Sequence, residues 1–141
     1  MAHRIQSGKG MKNRRQFGFT LIELMIVMAI IITLMGVAVP FYQKSITRAK
    51  ETVLKNNLFA MRSAIDEYSY DKQKAPQTLN DLVTEGYLRE VPKDPIVGNA
   101  DSWKVIMEDA GQAVSTTEPG IFDVRSGSSA RSMEGTPYAD W

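Results

Sequence analysis

Glu23 is the residue with the most chemistry to account for. It stands inside the apolar run from Leu21 to Val39, whose only other interruptions are Thr33 and Gly36. A carboxylate inside a membrane helix costs on the order of 2.5–3.5 kcal/mol on insertion scales, so it calls for a partner. Cleavage after Gly18 would supply one, a new α-amine on Phe19 four residues earlier, and groups at that spacing share a helix face. In a stack of parallel, axially shifted helices, the same carboxylate would meet the amine of a neighbouring subunit instead. Either pairing neutralises two charges where an unpaired one is expensive, and would fix the register of the stack. The competing reading leaves Glu23 solvated at the level of the lipid headgroups.

Other reactive groups are scarce. The chain has no cysteine, and its one histidine, His3, lies ahead of Gly18. From Phe19 onward there is therefore no Ser-His-Asp or Cys-His catalysis and no histidine metal site. Asp94, Asp101 and Asp109 remain as candidates for a membrane-anchored enzyme or binding module. Turn and surface roles account for them better.

The elements that place Glu23 begin with residues 1–18, which read as a processed leader. Arg4, Lys9, Lys12, Arg14 and Arg15 lie there with no acid. All 16 acids follow, so the chain from Phe19 onward carries a net charge of −4. Cationic flanks stay cytoplasmic, which places the remainder of the chain on the far side. A mildly acidic mature chain argues against a nucleic-acid groove. Met11 offers an alternative start. An ordinary secretory signal peptide is the rival reading, but no Ala-x-Ala-like site follows the apolar run. Residues 19–42 would span roughly 36 Å as a helix at about 1.5 Å per residue, enough to cross a bilayer core. Gly36 and Pro40 are its weak points, by low propensity and a missing donor.

Residues 43–141 form the expected globular domain. Leu54, Leu58, Met61, Ile65 and Tyr68 make an apolar seam at spacings of 4, 3, 4 and 3, so the helix continues to about Asp71. Glu51 and Lys55 are an i,i+4 pair on its exposed side. Thr78 with Asp81 predicts a capping box opening a short helix that Gly86 ends. The two prolines of Val91-Pro92-Lys93-Asp94-Pro95 predict an extended loop. Trp103 to Met107, Gln112 to Thr116 and Ile121 to Arg125 predict three strands. Ser126 to Trp141 reads as loop, its end tucked in by Tyr138 and Trp141. The fold class is α+β, a long N-terminal helix packed against a small antiparallel sheet.

Gly18-Phe19-Thr20-Leu21-Ile22-Glu23 with the apolar run behind it resembles the class III signal sequence of type IV pilins and type II secretion pseudopilins. The stretch Leu88 to Pro95 and the ending Gly135 to Trp141 are similar to those of the major, G-type pseudopilin. The resemblance implies cutting after Gly18 by a prepilin peptidase, N-methylation of Phe19, and a role for Glu23 in methylation and subunit docking. It implies bending or partial unwinding between Gly36 and Pro40 in a helical homopolymer. The chain would start as a single-pass inner-membrane protein in contact with lipid, its N-terminus cytoplasmic. An assembly platform and minor pseudopilins would then build it into a periplasmic filament that exports proteins. A type IV pilus subunit, serving adhesion, motility or DNA uptake, is the alternative. Neither implies catalysis or a cofactor, with one qualification. The subgroup often binds calcium in the loop after its last strand. Here residues 126–131 hold no acid, so a calcium site would have to draw on Asp123, Glu134 and Asp140 around the loop.

Overall fold

A computed structural model describes residues 1, 18, 20–109, 111, 113 and 118–141. Two compact units divide the chain, Met1–Val39 and Pro40–Trp141. Helix α1, Leu21–Lys72, runs through the boundary with Pro40 inside it. Proline lacks an N–H, so the carbonyl left without its i+4 donor is that of Gly36. The two expected weak points are thus opposite ends of one missing hydrogen bond.

In the first unit every residue from Leu21 to Val39 is exposed, and α1 is long and apolar enough to cross a membrane. The hydroxyl of Thr33 donates to the Ala29 carbonyl at 2.8 Å, which satisfies that side chain within its own helix.

In the second unit the expected seam is the core. Leu54, Leu58, Met61, Ile65 and Tyr68 are all buried, together with Ala64. They pack with Leu82, Trp103, Ile121, Val124 and Tyr138. Helix α1 stops where Gln73 adopts a left-handed φ of 54°. Its Nε2 donates to the Tyr70 carbonyl at 2.6 Å. Helix α2, Leu79–Thr84, has the expected capping box: Asp81 N–H donates to Thr78 Oγ1, and Thr78 N–H to Asp81 Oδ2 at 2.8 Å. That backbone bond is the main reason the Asp81 carboxyl ionises below its ordinary range. Gly86, with φ of 86°, closes the helix.

Strands β1, Lys104–Met107, and β2, Ile121–Arg125, pair antiparallel. Of the expected strand over Gln112 to Thr116, all but Ala113 lies outside the described residues. Pairing of Ile106 with Asp123 but Met107 with Ile121 leaves Phe122 as the extra residue of a bulge. Ile121 and Val124 therefore both face the core while Phe122 is exposed, against simple alternation. As expected, residues 91–94 form a loop without regular structure, and a turn begins at Pro95. Asp94 Oδ1 accepts from Ile96 N–H at 2.8 Å and Val97 N–H at 3.3 Å, turning the chain just after Pro95.

The C-terminal stretch is more ordered than its composition suggests. It carries a bridge between Arg131 and Pro137 and a 3₁₀ turn, Tyr138–Asp140. Glu51 and Lys55 bind this stretch instead of each other. Glu51 Oε1 accepts from Met133 N–H at 2.8 Å and the Tyr138 hydroxyl at 2.9 Å. Lys55 Nζ lies 4.6 Å from the centre of a Trp141 ring. Tyr138 and Trp141 tuck the end in as expected, their rings edge to face at 5.1 Å.

Burial, then the Glu51 hydrogen bond and charge, push the Tyr138 hydroxyl up from near 10 to about 12. A raised folded-state value means stability that is complete below pH 10 and lost as pH rises through about 12. Tyr138→Phe should cost about 0.5–1.5 kcal/mol at neutral pH and make the alkaline loss of stability shallower. The slope that remains would come from Tyr87, also raised by burial and by Asp71, and from Lys72, raised by Glu85. Circular-dichroism melts from pH 8 to 12 would show it.

Candidate functional site

The amine-terminal site begins one residue before α1. Thr20 is outside the helix, and its Oγ1 accepts from Glu23 N–H at 3.3 Å while its carbonyl accepts from Leu24 N–H at 3.1 Å. Thr20 therefore acts as the helix cap and Glu23 is the third helical residue, where a carboxylate also meets the favourable end of the helix dipole. The signal for this cap is local, since Thr20-x-x-Glu23 is a capping pattern. Gly18 also lies outside the helix. Phe19 falls outside the described residues. Behind this end follow the exposed apolar side chains of Leu24, Met25, Met28, Ile32 and Met35. A surface so apolar and so extensive marks a membrane or protein interaction.

The other carboxylates do not converge. Asp94 is fully buried, and its Oδ2 accepts from the Ser126 hydroxyl. Its two oxygens thus hold three donors and face no open space. Asp101 lines an open groove of about 590 Å³ beside α2. Asp109 lines another of about 240 Å³ with Phe122. Asp94 lines neither, and no common site forms.

Asp123, one of the three acids flanking the loop after β2, is committed elsewhere. Its Oδ1 binds Arg62 Nε at 2.7 Å, and its Oδ2 lies 3.9 Å from Arg125 Nε. Arg62 also donates through Nη2 to the Val124 carbonyl at 3.0 Å and the Trp141 main-chain oxygen at 2.7 Å. This arginine, missed in the sequence because it reads as one more charge on an exposed helix face, ties α1 to β2 and to the chain's end. Glu134 lines a groove with Lys55, Arg62 and Trp141, and Asp140 sits in the 3₁₀ turn. Among the described residues no three acidic groups gather as metal ligands. Calcium wants six to eight oxygens with carboxylates prominent. A donor set in which Asp123 faces two guanidinium groups does not fit it.

A helix with an exposed apolar first part and a small α+β domain built on its second part defines a pilin-like subunit. The family model for the prokaryotic N-terminal methylation motif matches residues 13–39. The type II secretion system core protein G of Pseudomonas aeruginosa is 34% identical over 101 residues, 60% of this chain and 71% of the relative. That of Pectobacterium carotovorum is 31% identical over 106 residues, 64% of this chain and 68% of the relative. The chain belongs to the type II secretion system core protein G family. The type IV major pilin protein PilA of Myxococcus xanthus is 40% identical over 70 residues, 50% of this chain but 32% of the relative. No solved structure matches the chain significantly.

Proposed function

We propose that the chain is the major structural subunit of a type II secretion pseudopilus. It is inserted in the inner membrane with its N-terminus cytoplasmic, cut after Gly18 by a prepilin peptidase, and N-methylated on Phe19. The assembly platform and minor pseudopilins then draw it into a periplasmic filament, held by its own apolar helices, that drives protein export. The subunit contributes structure and no catalysis. One observation carries this reading: a methylation motif opens directly into an apolar helix exposed along its whole first part, and the same helix ends as the core of a folded domain. Thr20 supports the processing step. As the helix cap it leaves Gly18 ahead of the helix, and a peptidase needs unwound backbone at the bond it cuts.

The bend expected between Gly36 and Pro40 belongs to the assembled state. With the Gly36 carbonyl already lacking its donor, unwinding there forfeits fewer hydrogen bonds than elsewhere in α1. The Myxococcus relative keeps a second reading in play, a type IV pilus subunit. A strain lacking this gene separates the two. Lost exported proteins with intact surface pili are expected. Lost pili or twitching with an unchanged set of exported proteins would overturn the secretion reading in favour of the pilus.

A further inference from the structure

Several polar groups of the loop after β2 are met from within the chain. The Ser126 hydroxyl donates to buried Asp94 and accepts from Ser128 N–H at 3.2 Å. Ser128 Oγ accepts from Ala130 N–H at 3.1 Å, and the Ala130 carbonyl accepts from Tyr138 N–H at 3.1 Å. Arg131 Nη1 donates to the Gly135 carbonyl at 2.9 Å. Glu51 holds the next turn through Met133 N–H and the Tyr138 hydroxyl.

An ion in such a loop would gather carbonyls and carboxylates around a positive charge. Here the positive charge in the loop is a guanidinium that already occupies a carbonyl. The two carboxylates that order the stretch come from outside it: Asp94 accepts on both oxygens, and Glu51 accepts an N–H and an O–H on Oε1. Asp94 lies on the turn before β1, and Glu51 on α1. Among the described residues they form no metal-ligating group with Asp123, whose oxygens face Arg62 and Arg125.

We propose that Asp94, Glu51 and Arg131 hold the loop after β2 in place of a bound calcium ion, so that the domain closes without calcium. Bonds to ionised groups are the stronger class of hydrogen bond, and those of Asp94 are shielded from water. The consequence for a filament, which rests on the reading given above, is a subunit whose assembly does not follow the calcium level around it. The closure itself concerns the fold and holds for a secretion or a pilus subunit alike.

The test uses the full chain in detergent micelles, titrated with calcium chloride by calorimetry and melted with calcium or with EGTA. No saturable calcium heat is expected, and the two melting temperatures should agree within about 1 °C. A calcium site held at a hundred times its Kd would separate them by roughly 10 °C, and a separation of that kind or a saturable heat would overturn the proposal. Ser126→Ala and the exposed Arg131→Ala provide a second arm. Both should melt lower than the parent by the same amount in calcium as in EGTA. Recovery of either by calcium would also overturn it. Since neither readout involves export or pili, failure here would leave the proposed function standing, and the reverse.

Discussion

The Glu23→Gln chain is expected to be cleaved to the parent's length yet to give at least about tenfold fewer filaments. Glutamine suits this test because Thr20 caps α1 through the Glu23 main-chain N–H, which the substitution keeps. Glutamine also serves at the third position of a capping box. The helix start and the unwound Gly18 should therefore survive, and only the charge is lost. In an assembled stack the Phe19 amine would then stand in an apolar core without a counter-charge. A pair of charges about 4 Å apart is worth roughly 4 kcal/mol near a protein surface, and each 1.4 kcal/mol is about a factor of ten in association. The prediction is stated well inside that range because the lost pair also relieves a desolvation cost. Intact mass of the membrane-extracted chain reads the cleavage, and sheared filament fractions read the yield. Parental filament yield from the variant would refute the amine–carboxylate pairing. An uncleaved variant would instead place Glu23 in peptidase recognition.

The long helix was legible because its signals are periodic and local. The seam from Leu54 to Tyr68 needs only its own spacing, and Thr78 with Asp81 needs four residues. What escaped depends on partners distant in sequence. Asp94 sits between two prolines and reads as a turn residue, yet it is buried and its Oδ2 is met by Ser126, which follows both strands in the chain. Arg62 lies one position past Met61 and looks like solvated helix surface until β2 brings Asp123 beside it. The bulge at Phe122 follows from how two strands pair, which neither strand's own pattern encodes. The C-terminal stretch reads as loop because serine and glycine dominate it. Its order comes from Glu51 and Lys55, whose i,i+4 spacing suggested that they would satisfy one another.

These long-range contacts share a pattern. Arg62, Glu51 and Lys55 all project from α1 and reach β2 or the last residues of the chain. The exposed apolar part of α1 and the polar anchors of its second part thus divide one helix between two tasks. The first leaves an apolar surface exposed. The second holds a two-stranded sheet whose strand β1 contributes no buried residue and which has little core of its own.

Gly127→Ala should test how closely that holding is set, and its expected effect on stability is the largest of any conservative substitution considered. A Cβ at residue 127 would overlap the Ser102 main-chain carbonyl oxygen, which no rotamer change can relieve. Either the loop after β2 or the turn before β1 must move. Residue 127 adjoins Ser126, so movement would pull its hydroxyl from Asp94 and leave a buried carboxylate short of a donor. That loss costs about 1–3 kcal/mol, more when the group is charged, and the backbone shift adds to it. For a domain of this size each kcal/mol moves the melting temperature by roughly 4–8 °C. A fall of about 10–20 °C is therefore expected in the full chain in micelles, with loss of the folded subunit in cells. Gly111→Ala is the control, since a Cβ there meets nothing within 4 Å. It should change stability by no more than about 0.5 kcal/mol. Equal melting temperatures for the two variants would mean that the loop after β2 yields freely, and the contact with Ser102 would lose its structural role.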